Sequence, residues 1–196
     1  MKRIILASNS RQRQKILDLV GLKYEVITSL VEEVTDAKNP EKYVQELAIN
    51  KAKSVDKQIK DNAIIIAADT IIYCNNKIYE KAKDDQEVKK NLKELSSNKN
   101  TAYTGYAIID KYTNRIINFY ETTDVYFKDI TEVDIDNYIK KEENKFKCCG
   151  YNPMGKASIY IEKIQGDFFN LLGLSPRLVF SKFKELGYGN SDFDIN

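Results

Sequence analysis

The chain has no histidine and no tryptophan in 196 residues. Without histidine there is no Ser-His-Asp or Cys-His nucleophile, no imidazole general base and no His-ligated zinc. Cysteine is scarce: Cys74, Cys148 and Cys149 form an odd set without CxxC spacing. That excludes a disulfide framework and makes a poor zinc site. The adjacent Cys148 and Cys149 read as two reduced thiols rather than a strained vicinal bridge. Long apolar runs are missing too. Lys2 and Arg3 precede only Ile4 to Ala7, short of the roughly 7–15 residues of a signal-peptide core. No stretch approaches the ~18 apolar residues of a membrane span. A soluble, cytoplasmic chain with no membrane partner is expected. Strong charge of one sign is also absent, with 31 Lys and Arg against 29 Asp and Glu, a net +2. This balance excludes a basic nucleic-acid clamp and an acidic disordered chain. The 13 tyrosines are scattered and form no basic-aromatic stripe, so no nucleic-acid partner is expected. Carboxylates, lysines, arginines, hydroxyls and backbone remain for chemistry.

What is present suits an α/β or α+β domain with a mixed sheet. The 42% hydrophobic content can fill a core at this length, and no Gly/Ser/Pro-rich linker divides the chain. A single domain is expected over residues 1–188, with 189–196 a short, loosely ordered tail. Ile4 to Leu6 reads as a strand and Tyr24 to Thr28 as a second. Between them, Ile16, Leu17, Leu19 and Val20 recur at helical spacing and stop before Gly21. Pro40 opens a long helix in which Val44, Leu47, Ala48, Ala52 and Val55 share a face. Ala63 to Cys74, apolar and β-branched, predicts a central strand. A charged helix from Asp84 carries Val88, Leu92 and Leu95 inward. Thr101 to Phe127 predicts two long strands with a turn near Thr113-Asn114. Thr131 and Asp134 predict a capping box before the Ile135–Ile139 helix. Ser158 to Ile164 reads as a strand, and Ser175-Pro176 as the cap and first residue of a last helix ending at Gly187.

Three groups could carry chemistry. Ser8-Asn9-Ser10-Arg11-Gln12-Arg13 joins the first strand to the first helix, where unpaired N–H groups, hydroxyls and the Arg13 guanidinium suit a phosphate. The plainer reading makes Ser10 an N-cap and Arg13 a solvated first-turn residue, and there is neither a P-loop nor a GxGxxG. Asp69 ends the run Ile64-Ile65-Ile66-Ala67-Ala68, a placement that demands a partner or a task; the alternative is a turn-capping aspartate. Thr70 beside it could orient a substrate or water. Glu32-Glu33 add acid in a loop, and a solvated pair is their default. Lys51, one step from the apolar face of its helix, and Lys81, after the strand-like Lys77–Glu80, matter only if they converge with Arg13 and the acids.

Taken in order, Leu6-Ala7-Ser8-x-Ser10-x-x-Arg13, Glu33, Leu47-Ala48-x-x-Lys51-Ala52, Ala68-Asp69-Thr70 and Lys81 resemble the Maf family of nucleotide pyrophosphatases. The likeness continues through Leu95-Ser96, Thr104-Gly105, Thr123-x-Val125-x-Phe127 and Tyr138. It ends in Ile164-x-Gly166-Asp167-x-x-Asn170-Leu171-Leu172-Gly173-Leu174. No single motif decides it; the ordered set, running nearly end to end, does.

The resemblance implies hydrolysis of nucleoside triphosphates between the α- and β-phosphates to a nucleoside monophosphate and pyrophosphate, including modified or non-canonical nucleotides. It implies a Mg²⁺ or Mn²⁺ requirement and a mixed, twisted sheet with flanking helices in two lobes around a deep cleft, Maf/ITPase-like. Asp69 corresponds to the proton acceptor, Glu33 to a metal-side carboxylate together with Asp69, and Ser8, Arg13, Lys51 and Lys81 to the phosphate holders. Related proteins pair as dimers, so a homodimer is compatible, although the chain shows no heptads. The chemistry agrees with the composition, since phosphoanhydride hydrolysis proceeds on acids, a hard cation and Lys/Arg without histidine. The family's link to septum formation supplies the alternative, a nucleotide-binding regulator of cell division with little turnover.

The sequence departs from the family at the base end. The usual Pro-Arg-Arg is Arg11-Gln12-Arg13, and Gln12 and Thr70 stand at positions that set base preference. The family's Asp-Lys-Ala-Gly-x-Tyr-x-Ile-Gln-Gly aligns with residues 146–155. Lys147, Tyr151 and Gly155 are kept, while Phe146 replaces the aspartate and Met154 the base-selecting glutamine. A thioether supplies no paired donor and acceptor. The pattern matches neither the dTTP/UTP subgroup nor the 7-methyl-GTP subgroup, which places a glutamate there.

Overall fold

A computed structural model describes residues 1–195. Strand β1 (Ile4–Leu6) is wholly buried and delivers the chain to helix α1 (Arg11–Leu19), whose N-cap Ser10 accepts the Arg13 N–H. Only Ile16 and Leu17 of the expected apolar stripe are buried; Leu19 is 70% exposed. Strand β2 (Glu25–Val26) is shorter than expected because its partner is short: β1 offers Ile5 and Leu6 as parallel partners and then turns away. Helix α2 (Pro40–Asp56) starts with Asn39 accepting the Lys42 N–H and buries Val44, Leu47, Ala48, Ala52 and Val55 as the spacing predicts.

Strand β3 (Ile64–Cys74) is the buried centre, and Asn75 and Asn76, at φ 49° and 60°, turn it into β4 (Lys77–Tyr79). Such left-handed pairs favour short polar side chains. Helix α3 (Asp85–Leu95) follows its Asp84 cap and buries Val88, Leu92 and Leu95. The long strands β5 (Lys99–Asp110) and β6 (Arg115–Phe127) flank a turn at Asn114, φ 55°. Helix α4 (Glu132–Lys141) carries the expected Thr131 cap on the Asp134 N–H.

The strand expected from Ser158 begins later. Residues Lys156–Tyr160 form a 3-10 turn, and β7 is Ile161–Gly166. The cause is that the Glu142 carboxylate, 14 residues earlier, takes the Lys156 N–H, while the Ser158 N–H returns to the Gly155 carbonyl. A one-turn helix, α5 (Phe168–Leu171), is too short to leave a periodic signal in the sequence. Helix α6 (Pro176–Glu185) begins at the Ser175 cap as expected.

The sheet runs β2-β1-β3-β5-β6-β7, with β4 on β3. Strand β1 is parallel to β2 and β3, whereas β3–β4 and β6–β7 are antiparallel, so the sheet is mixed as expected. Two compact units share the chain. Residues 1–69, 104–121 and 172–195 form one, centred on Ile5, Ala48, Val55, Ile65, Ala67 and Ala107. Residues 70–103 and 122–171 form the other, centred on Ile72, Leu92, Val125, Phe127, Tyr138 and Tyr151.

The C-terminal segment is not loose. Phe193 is 3% exposed and stacks on Phe183 at 4.4 Å between ring centroids, while the Lys2 N–H bonds the Asp192 carbonyl at 2.7 Å. Its aromatic residue, placed beside the equally aromatic α6, supplies apolar burial within an otherwise polar tail. Among the described residues no helix is long and apolar enough to cross a membrane.

Candidate functional site

In the first unit, parallel pairing sets the carboxyl end of β1 beside the first half of β3. Ile4, Ile5 and Leu6 pair with Ile64, Ile65 and Ile66. The Ala7 N–H continues to the Ile66 carbonyl at 2.8 Å. Ser8 therefore leaves β1 level with the segment of β3 that carries Asp69. Carboxyl ends of parallel strands are where open α/β sheets bind ligands.

Asp69 is 6% exposed and Lys51 7%. Lys51 Nζ donates to Asp69 Oδ1 at 2.5 Å and lies 3.0 Å from Glu33 Oε1. Glu33 is exposed at the rim, so one buried ammonium joins a deep carboxylate to a solvent-facing one. Lys51 follows Val44 by two helical turns on the buried side of α2. The reach depends on Gly105 in β5: a Cβ there would stand 2.2 Å from the Val44 carbonyl oxygen. Helix and strand meet backbone to backbone, and glycine permits it. The chain leading to Glu33 is tied down, with Thr28 Oγ1 donating to Asn9 Oδ1 at 2.7 Å and the Leu30 N–H donating to Ser54 Oγ at 3.0 Å.

Arg13 is held in place rather than solvated. Its Nε donates to the Gly173 carbonyl at 2.8 Å and its Nη1 to Ser8 Oγ at 3.1 Å. Ser8 Oγ also accepts the Ser10 N–H at 3.2 Å. Gly173 sits at φ 99° after the Asn170-Leu171-Leu172 run, a conformation that favours glycine. Gln12 is half-buried on the first turn of α1. Ser8, Gln12, Arg13, Glu33, Lys51 and Asp69 thus all belong to one unit.

Thr70, Lys81, Lys147 and Met154 belong to the other. Thr70 is half-buried on β3, and Lys81 is exposed between β4 and α3. Lys147 and Met154 lie on the loop that Glu142 organises. Its carboxylate accepts the Lys156 and Asn144 N–H groups at 2.8 and 3.0 Å and Asn152 Nδ2 at 3.4 Å. Burial pushes the Glu142 carboxyl up, but these donors and the Lys156 charge outweigh it and leave it below its usual range. A Cβ on Gly155 would meet Glu142 Oε2 at 2.4 Å. The loop is further fixed by Tyr138, whose hydroxyl accepts the Asn152 N–H at 3.0 Å, and by Asn91, which donates to the Cys149 carbonyl at 2.8 Å. Met154 itself is 61% exposed.

Sequence spacing gives Gly105, Glu142 and Gly173 no task. A glycine inside a strand was the available signal for Gly105. Glu142, following Lys140-Lys141, reads as one more solvated charge, and nothing local marks it as buried.

The profile described as Maf, Maf-like protein, matches residues 3–186. The chain belongs to the Maf family. Among Maf relatives, a protein of Thermoanaerobacter sp. (strain X514) named dTTP/UTP pyrophosphatase is 39% identical over 193 residues, covering 98% of each chain. Another of that name, from Bacillus cereus (strain ATCC 10987 / NRS 248), is 40% identical over 186 residues, covering 94% of this chain and 90% of the relative. Among solved structures, the Staphylococcus aureus Ham1 protein aligns with a TM-score of 0.44 and 16% identity, covering 64% of this Maf chain and 72% of that one.

Proposed function

We propose that this Maf chain is a nucleoside triphosphate pyrophosphatase, hydrolysing the α–β phosphoanhydride to release nucleoside monophosphate and pyrophosphate in the cytoplasm. The observation that carries the reading is the convergence of Asp69 and Glu33 on buried Lys51, on the part of β3 that lies beside the end of β1 leading to Ser8. The pyrophosphatase name of relatives that match along nearly the whole chain supports it.

Asp69 accepts the proton of the attacking water. Lys51 engages Oδ1, so the proton goes to Oδ2. Lys51 compensates the aspartate charge in a buried place and holds its rotamer. Arg13, fixed through Nε and Nη1, presents a preset fork for phosphate oxygens, so little order is lost when they bind. Ser8 fixes that fork, and the N–H groups opening α1 add to the anion site. The family resemblance assigns Lys81 to the phosphates and Lys147 to substrate binding.

The donor set fits a hard divalent cation such as Mg²⁺ or Mn²⁺. Two carboxylates, Asp69 and Glu33, meet at one ammonium, and no group of three or more His, Cys, Asp or Glu suited to a metal gathers among the described residues. One or two carboxylates with substrate phosphates and water is the usual Mg²⁺ arrangement. When bound, such an ion would neutralise phosphate charge.

The family resemblance assigns Gln12, Thr70 and Met154 to base preference. The relatives' name points to dTTP and UTP, while Met154 removes the paired donor and acceptor of a carboxamide. A nucleotide panel with Mg²⁺ or Mn²⁺ tests this. The expected result is pyrophosphate release with weak discrimination among bases, and Met154→Gln raising kcat/KM for dTTP and UTP about tenfold, the worth of one good hydrogen bond. Absence of turnover on every nucleotide favours the regulatory alternative.

A further inference from the structure

Between β2 and α2 the chain passes Lys51 as an irregular strap, residues 30–34. Both ends are pinned to α2. The Leu30 N–H donates to Ser54 Oγ at 3.0 Å, and Thr35 Oγ1 donates to the Glu46 carboxylate. Between these pins the Glu33 carboxylate reaches Lys51 Nζ at 3.0 Å.

The strap's side chains are turned opposite to the usual sense. Leu30 is 80%, Val34 68% and Val31 41% exposed, whereas the acid among them pairs with a buried ammonium. Chain segments ordinarily bury apolar side chains and leave carboxylates in water. Single exposed apolar residues are unremarkable, but here three stand within five positions, beside the ion pair that carries the proposed chemistry.

The tether that holds this arrangement is weak. The Glu33 side chain is 59% exposed, and an ion pair that water reaches contributes little. A polyphosphate brings several negative oxygens to the same ammonium and repels the Glu33 carboxylate from it. With Leu30 and Thr35 still pinned, release of Glu33 frees the four residues between them to swing together. An apolar cover over Lys51 and Asp69 would expel bulk water and strengthen every charge contact beneath it. Loops that close on bound ligand in this way gate many enzymes.

We propose that residues 30–34 are a lid, latched open by the Glu33–Lys51 ion pair, which a phosphoanhydride ligand at Lys51 releases so that Leu30, Val31 and Val34 close over the site. The ligand class rests on the pyrophosphatase reading; the latch rests on the strap's own contacts.

The chain has no tryptophan, so Val34→Trp installs a single fluorescent reporter at a position that stands in water. The full-length variant is titrated with inorganic pyrophosphate and Mg²⁺, with calorimetry measuring occupancy. At saturation its emission shifts to the blue and acrylamide quenches it less. Leu30→Trp is the second reporter should Val34→Trp fail to fold. In parallel, the L30S/V34S variant keeps the ligand-free urea midpoint, as exposed positions do, and loses about tenfold in kcat/KM for nucleotide. Unmoved emission at saturating pyrophosphate overturns the lid. So do pyrophosphate that fails to bind, and a serine variant with the wild-type kcat/KM. The two readings fail separately. Closure on pyrophosphate in a chain that turns over no nucleotide removes the pyrophosphatase reading alone, and turnover beneath an unmoved strap removes the lid alone.

Discussion

Lys51 Nζ stands 2.5 Å from Asp69 Oδ1, an ion pair between α2 and β3 with both side chains under a tenth exposed. Burying two charges is costly unless they compensate each other, and removing one partner leaves the other stranded. On the proposed reading the pair serves stability and chemistry together, and variants separate the two.

Lys51→Met is predicted to lower stability by about 3 kcal/mol through the uncompensated Asp69 carboxylate. Urea unfolding measures it as a lower midpoint with an unchanged slope. Replacing both residues, as Lys51→Met with Asp69→Leu, is predicted to recover most of that loss, because no charge is then left buried alone. Pyrophosphate release stays abolished in the double variant. Full recovery of turnover there would show that the pair is only structural.

Arg13→Lys keeps the charge and loses the fork, since one ammonium cannot reproduce the contacts of Nε with Gly173 and Nη1 with Ser8. Hydrogen bonds to charged groups contribute about 1.5–3 kcal/mol, so kcat/KM is predicted to fall roughly 10- to 100-fold. Steady-state kinetics check this, with thermal unfolding as the control for folding.

Much of this framework was legible in the sequence, for physical reasons that differ by residue. Caps at Ser10, Thr131 and Ser175 were readable because their partners lie three residues away. The buried face of α2 was readable because helical spacing encodes it. The long-range partners were not: the contact between Arg13 and Gly173 spans 160 residues, and no local pattern carries it. Lys51 is one lysine among many until α2 is laid on β3. The late start of β7 has the same origin, since Glu142 reaches across 14 residues to take the Lys156 N–H.

Glu142 supplies a pH dependence. Its carboxyl is held below the ordinary 4.5, so the stability it contributes is fully present above that value. It is lost as pH falls through the lower folded value. Glu142→Gln is predicted to be less stable than the wild type at pH 7 by about 2 kcal/mol, since an amide nitrogen then faces a backbone donor. The difference narrows as the wild-type carboxyl protonates in acid. Urea midpoints at pH 7 and below about 4 measure the convergence. A gap of constant size across that range contradicts the assignment.

The central claim is that Asp69 takes the proton in pyrophosphate release. Pyrophosphate release by wild type and Asp69→Asn, with dTTP, UTP and Mn²⁺, tests it most directly when nucleotide binding is titrated in parallel. Turnover by the wild type is expected, with a loss of at least about 100-fold in the variant, the lower end of general-base contributions, and nucleotide still bound. An Asp69→Asn protein that releases pyrophosphate at the wild-type rate would contradict it.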